Sequence, residues 1–419
     1  MGMMPLSRAA YHRHGRYWLP KGHRPAARYF VQNLLAPRSR RMLVQSSVAH
    51  FLPTLDWPSV LASASGEISA LPWGLEGVDL GALGEFFGDV LFGRGLATKD
   101  PPVLLMLEDY PGSKRRQTVI FLFGRDSSSP IAVAKLSREA GPREALEATF
   151  GAISTLHAGL DERLAATIPE PLALGDVGDF KVLVESVKIG RTIDVDLRQR
   201  WQPRRVASGH FGRARDWLVE FHRATRIGET TVDAADSSIG SVIETFARKF
   251  EPTPAERRLI SRLDAMRDTL RGERLPLVAR QGDYWARNIV IMGDGVGVVD
   301  WEHFEDRSTP FDDLFMFATS YGLGFPWRLA QPAGPVDAFR ALYVEPTWMA
   351  ALARDYFRSY CAAMDIAPQL LDLFLPVFLM ARGMADDDRP DVSRRGWSPT
   401  LWRDLLRAYA AAERPEWLV

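Results

Sequence analysis

Gln281-Gly282-Asp283-Tyr284-Trp285-Ala286-Arg287-Asn288-Ile289-Val290-Ile291 is followed by Gly293-Asp294-Gly295 and then by Val296-Gly297-Val298-Val299-Asp300-Trp301-Glu302. Ile289–Ile291 and Val296–Val299 are short apolar runs joined by a glycine turn, which predicts a β-hairpin. The preceding loop starts with Asp283 and ends with Asn288, and Asp300 closes the second strand. The hairpin is therefore expected to return Asp300 toward Asn288, bringing two carboxylates and an amide oxygen together. An isolated loop aspartate is ordinarily a turn or cap residue. The informative feature is the combination of Asp, Asn five residues on, an apolar hairpin and an Asp at its end. An oxygen-only set with no nearby histidine group suits Mg²⁺ rather than zinc.

Upstream, three runs read as antiparallel strands: Val103–Leu107, Gln117–Phe123 and Ile131–Leu136. A helix is predicted over Pro142–Ala158, with Leu146, Phe150, Ile153 and Leu156 three or four apart. Strands return near Leu172–Leu174 and Lys181–Ser186. Before residue 100, Met42–Leu52 and Leu80–Phe92 look helical, and Lys99-Asp100-Pro101-Pro102 reads as a boundary. Helices then dominate: Phe211–Thr225, Pro254–Leu270, and the chain beyond Pro346. This order predicts an α+β fold: a small antiparallel-sheet lobe with one helix, and a larger helical lobe. The expected domains are residues 1–100 as an N-terminal extension, 101–187 as the sheet lobe and 188–419 as the helical lobe.

Composition narrows the function. Lys+Arg and Asp+Glu are both 52, so the chain lacks the basic footprint of a nucleic-acid binder. The single cysteine, Cys361, permits neither an internal disulfide nor a thiolate zinc site, as expected of a cytoplasmic protein. The most apolar run, Leu370–Ala381, is too short for a membrane span and contains Asp372 and Pro376. Residues 1–25 lack the apolar segment of a signal peptide. Nine basic residues precede the first acid, Asp56. Residues 1–55 thus read either as a basic extension folded on an acidic body, or as a contact for anionic lipid or an acidic partner.

The Asp283-to-Asn288 spacing is that of a kinase catalytic loop, and Asp300 stands where the metal-binding aspartate stands. With Ala132-Val133-Ala134-Lys135, the strand Val182-Leu183-Val184-Glu185-Ser186 and the helix bearing Trp217-Leu218 and His222, these motifs resemble the aminoglycoside phosphotransferase and choline kinase-like family. The resemblance spans residues 103–320 or so and implies a two-lobed, protein-kinase-like fold using ATP and Mg²⁺. It implies Asp283 as the catalytic base or orienting carboxylate, and Asn288 and Asp300 as metal ligands. Lys135 would contact the α- and β-phosphates, paired with a helix glutamate, Glu147 or alternatively Glu144. Gly112 and Ser113 would lie over the phosphates, and Ser186 and Val187 would offer backbone groups to adenine. Asp313 would brace the catalytic loop. Gln281 departs from the family's usual histidine, but glutamine too can donate and accept.

The implied reaction is γ-phosphoryl transfer to a hydroxyl of a small molecule: a sugar, an amino alcohol or an aminoglycoside-like compound. A nucleotide-binding pseudokinase scaffold, with the basic extension as its interaction arm, is the alternative. A protein kinase is disfavoured because neither Asp-Phe-Gly nor Ala-Pro-Glu follows the loop. Tyr284, Trp285 and Trp301 read as core packing or as ring-stacking walls, and the acidic Asp386-Asp387-Asp388 and Asp391 as a solvated loop or a cation-binding one.

Overall fold

The computed structural model describes residues 11–14, 16–34, 75–98, 100–108, 117–125, 127–199, 203–324, 334–387 and 400–412. The first elements are β1 (Tyr11–His14), β2 (Tyr17–Pro20), α1 (Arg24–Tyr29, continued by a π turn over Phe30–Leu34) and α2 (Leu80–Gly93). They are followed by β3 (Val103–Glu108), β4 (Thr118–Phe123), β5 (Pro130–Ser137), α3 (Ala140–Gly159), α4 (Glu162–Ala165), β6 (Pro171–Val177) and β7 (Phe180–Ser186). The chain continues with β8 (Arg191–Thr192), α5 (Ile193–Gln199), α6 (Pro203–Ala224), β9 (Gly228–Thr231), α7 (Val232–Lys249), α8 (Pro254–Thr269) and β10 (Arg274–Arg280). Last come β11 (Ile289–Met292), β12 (Gly295–Val298), β13 (Glu305–Ser308), α9 (Phe311–Gly324), α10 (Pro335–Tyr343), α11 (Trp348–Met364), α12 (Leu370–Asp387) and α13 (Leu401–Ala411).

The chain divides into two compact units. The first comprises Met1–Gln199 with Val290–Gly293 and Gly297–Glu302, and the second comprises Arg200–Ile289, Asp294–Val296 and His303–Val419. The first unit carries the larger sheet, and the second is mostly helical. The first part runs past residue 187 to Gln199 and takes back most of the β11–β12 hairpin.

The first unit is built on a seven-stranded antiparallel sheet of order β1-β2-β3-β4-β5-β7-β6. Its central strands are apolar on both faces because both faces are covered. On one face Leu83, Phe87 and Leu91 of α2 pack with Leu104, Met106, Ile120, Leu122, Ala132, Ala134, Val182 and Val184. On a separate cluster, Ala26, Ala27, Tyr29, Phe30 and Val31 of α1 and its π turn cover Leu105 and Phe123. Burial of such side chains contributes about 25 cal/mol per Å² of apolar surface. The stripe Leu146, Thr149, Ala152, Ile153 and Leu156 is the buried face of α3.

Two short strands of the segment expected as an extension belong to this sheet. Tyr17 pairs with Leu107 and Trp18 with Met106, so β1 and β2 extend the sheet beyond β3. Arg13 forms an ion pair with the buried Glu108 at 3.2 Å, and Arg16 donates to the Glu108 backbone oxygen at 3.3 Å. This part of the basic segment therefore folds against the body. The helix expected over Met42–Leu52 lies outside the described residues.

In the second unit an aromatic core forms around Phe211, whose ring makes edge contacts with Phe317, Tyr321 and Tyr356 at centroid distances of 4.8–5.2 Å. His222 is fully buried on α6 and its Nδ1 lies 2.5 Å from the Tyr360 hydroxyl. Burial lowers its pKa to about 3, so it is a neutral packing residue. Strands β13, β10 and β9 form a small sheet there, whereas in the first unit β8 pairs with Val290 and Ile291 of β11. Gly190, at φ +159, permits that last pairing, since a Cβ there would stand 2.1 Å from the Ile291 oxygen. Among the described residues, no helix is long and apolar enough to cross a membrane.

Candidate active site

Lys135 sits on β5 between apolar neighbours, and a buried ammonium there needs a counter-charge. It has two. Its Nζ lies 3.1 Å from Glu185 Oε1 and 3.5 Å from Asp300 Oδ1. Burial by itself would push the ammonium's pKa down. The charges of Glu185 and Asp300 outweigh that effect and hold it above its ordinary value. Lys135 is thus a fixed positive charge, and all three groups belong to the first unit.

The pairing follows from sheet register. Val133 pairs with Glu185 and Lys135 with Leu183 across antiparallel β5 and β7. Alternate residues of a strand share a face, so Lys135 and Glu185 are diagonal neighbours on one surface. The intervening Ala134 and Val184 enter the core on the opposite side.

Asp300 follows β12 with a left-handed backbone at φ 66, a conformation uncommon outside glycine, asparagine and aspartate. Its side chain is 38% exposed, so the lysine neutralises it without enclosing it. Backbone strain of this kind persists only where surrounding structure enforces it. Here Trp301, whose Nε1 donates to the Val298 oxygen at 3.0 Å, is fully buried and pins the turn.

The Gln281–Asn288 loop, in the second unit, is braced from below. Asp313 near the start of α9 accepts the backbone N–H of Gln281 at 2.7 Å and of Gly282 at 2.9 Å. That is the bracing role expected of it. Burial raises the Asp313 carboxyl to about 6, although the two N–H bonds oppose the rise. Gln281 is fully buried, and its Oε1 accepts the Asp283 N–H at 2.8 Å. The glutamine thus performs a loop-holding hydrogen bond of its own. Gly282 has φ +84, and a Cβ there would lie 2.2 Å from the His303 oxygen. Arg382 of α12 donates to the Gly282 oxygen at 3.2 Å.

Asp283 is presented by this loop with 14% of its side chain exposed. Asn288 Nδ2 donates to its Oδ2, and Arg287 lies 3.7 Å from the same oxygen. The Arg287 guanidinium also stands over the Trp285 ring, 4.7 Å from its centroid. Tyr284 and Trp301 are buried in the core; Trp285 is half-buried.

Other expectations meet a mixed outcome. Glu147 is not the partner of Lys135. It is exposed on α3 and pairs with Lys181 at 3.2 Å, while Lys181 also binds Asp176 at 2.9 Å. The physical reason is helical phase: Glu147 follows the buried Leu146 by one residue and falls off the inward stripe. Glu144 is exposed as well. The residue missed was Glu185, whose signal was a lone acid in an apolar strand. The Ser186 N–H donates to the Glu170 oxygen at 2.8 Å and its hydroxyl accepts the Glu170 N–H, so these groups are already engaged. Val187 is the next residue beyond β7. Gly112 and Ser113 lie outside the described residues, as do Asp388, Asp391 and the side chains of Asp386 and Asp387.

The residues expected to hold Mg²⁺ fit a hard cation by chemistry. Asn288 spends its amide N–H on Asp283, which leaves its carbonyl oxygen as the atom offered to a ligand. Asp300 contributes a partly exposed carboxylate. Asn288 precedes and Asp300 follows the same hairpin. Among the described residues, no three His, Cys, Asp or Glu side chains form a ready-made cage. Cys361 is buried, its thiol pushed up to about 12, and is no competitor for metal.

No family model matches the chain, and no curated protein matches it. Among solved structures it is similar to a thermostable mutant of aminoglycoside phosphotransferase APH(4)-Ia in its apo form. The identity is 11% over 78% of this chain and 99% of that one, with a TM-score of 0.46. It is similar to a choline/ethanolamine kinase family protein from Mesorhizobium loti, at 16% identity, 74% and 89% coverage and a TM-score of 0.40. It is also similar to spectinomycin phosphotransferase APH(9)-Ia in complex with ADP and spectinomycin, at 11% identity, 74% and 93% coverage and a TM-score of 0.43.

Proposed function

We propose that the chain is an ATP- and Mg²⁺-dependent phosphotransferase that moves the γ-phosphoryl group to a hydroxyl of a small molecule. The observation that carries this reading is Lys135, a buried, permanently charged amine held between Glu185 and the partly exposed Asp300. A structural lysine gains little from two acids in such surroundings, whereas a polyphosphate needs a fixed cation at its non-bridging oxygens.

The remaining groups supply what phosphoryl transfer requires, which is positioning and charge neutralisation more than covalent help. Asn288 and Asp300 would hold Mg²⁺, which neutralises phosphate charge when bound. The hydroxyl oxygen of the acceptor attacks the γ-phosphorus as the bond to the β–γ bridging oxygen breaks, and its proton passes to the Asp283 carboxylate. Asn288 orients that carboxylate through Oδ2, and Gln281 and Asp313 hold the loop that carries it. Val187 offers backbone groups to the adenine ring at the end of β7.

A panel of sugars, choline-like amines and aminoglycosides, scored for ATP consumption with Mg²⁺, tests the reading and identifies the acceptor. Acceptor-dependent ADP release is expected. Wild-type protein that binds no nucleotide in the presence of Mg²⁺ would contradict it.

A further inference from the structure

We propose that Glu185 on β7, and not an acid of α3, is the positioning residue that holds Lys135 toward the nucleotide phosphates; this rests on the phosphotransferase reading above. The geometry is direct. Glu185 Oε1 is 3.1 Å from Nζ, and the two side chains retain only 4% and 10% of their exposure. The helix that would otherwise supply the partner turns Glu147 to Lys181 and leaves Glu144 exposed.

The second oxygen of Glu185, Oε2, is buried without a hydrogen-bond partner. A carboxylate that gave nothing to function would be a poor choice for this place, because an apolar residue there would avoid the desolvation cost. Its place there is explained if the ammonium must stay in one position while Asp300, the other contact, turns to a cation. Glu185 is the more enclosed partner, at 4% against 38% for Asp300, so it is the contact least disturbed when ligands arrive.

The consequence is an anchor that lies wholly within one sheet. Strands β5 and β7 are hydrogen-bonded neighbours, so the lysine and its partner are fixed by the same ladder. Movement of α3 would not break the pair. Nucleotide engagement is thereby independent of the helix acids at positions 144 and 147.

The test is nucleotide affinity, measured by calorimetry with Mg²⁺ and a non-hydrolysable ATP analogue on the full chain. Wild type is compared with Glu185→Gln, Glu185→Asp, Glu147→Gln, Lys135→Met and the Lys135→Met/Glu185→Gln double variant. Glu185→Gln is expected to weaken binding by about tenfold or more, the scale of one aligned charge-assisted contact. Glu185→Asp, which keeps the charge, should recover part of that loss. Glu147→Gln should bind as wild type, and the double variant as Lys135→Met alone. Wild-type affinity in Glu185→Gln, or an undiminished further loss in the double variant, would overturn the assignment. No binding by wild type would instead overturn the phosphotransferase reading on which it rests.

Discussion

Asn288 donates its side-chain N–H to both the backbone oxygen and Oδ2 of Asp283, at 2.9 Å in each case. The loop between them curls tightly, with Trp285 N–H bonded to the Asp283 oxygen at 2.7 Å and Asn288 N–H to the Trp285 oxygen at 2.8 Å. Five residues is therefore the spacing at which the amide folds back on the carboxylate. Asn288→Asp keeps an oxygen for a cation, loses both donors and places a like charge beside Asp283. It should retain Mg²⁺-dependent nucleotide binding while turnover falls about a hundredfold, the lower end of what general-base alignment supplies. Steady-state ADP release beside a calorimetric nucleotide titration separates the two effects.

Gly282 is required by space as well as by backbone. At φ +84 with a Cβ only 2.2 Å from the His303 oxygen, alanine forces the loop to shift. Gly282→Ala should lose roughly 2–4 kcal/mol in urea unfolding, the range of overpacking joined to backbone strain. Turnover should fall in the protein that remains folded.

Asp300→Asn preserves a residue type tolerated in the left-handed region, so the turn at φ 66 should survive. It removes the anionic oxygen that faces Lys135 at 3.5 Å. Nucleotide affinity should lose most of its dependence on Mg²⁺, measured as the ratio of dissociation constants with and without the ion. The thermal midpoint should stay near that of wild type, because Lys135 retains Glu185.

The contact between Asn288 and Asp283 was legible because its signal is local: the two lie five residues apart, where spacing translates into geometry. Lys135 was legible for a different reason, as a charge inside an Ala-Val-Ala strand. Its partner was not, since periodicity reports that α3 is amphipathic without weighing Glu147 against a strand acid that only sheet register brings near. Strands β1 and β2 escaped notice because each has four residues and their partner lies far along the chain, Tyr17 meeting Leu107. The described part of the segment that read as an extension thus supplies sheet edge, through β1 and β2, and helical cover, through α1 and α2.

Asp313 gives the fold a pH dependence with a defined sign. Burial raises its carboxyl from the ordinary 3.8 to about 6, so the folded chain binds this proton more tightly than the unfolded chain. The associated stability is full below about pH 4 and is lost as pH rises through about 6, a change of about 3 kcal/mol. Asp313→Asn lacks that proton. The difference in unfolding free energy, wild type minus variant, should therefore fall by about that amount between about pH 4 and about pH 7 in paired urea titrations.

In the proposed function, Asp283 serves phosphoryl transfer from a nucleotide held mainly by other groups. The deciding measurement is transfer of the labelled γ-phosphoryl group from Mg²⁺-ATP to a small-molecule hydroxyl, by wild type and by Asp283→Ala at matched nucleotide saturation. Transfer should drop at least about a hundredfold in the variant, the contribution of a positioned base, while its nucleotide dissociation constant stays within about twofold of wild type. Undiminished transfer by Asp283→Ala would contradict the account.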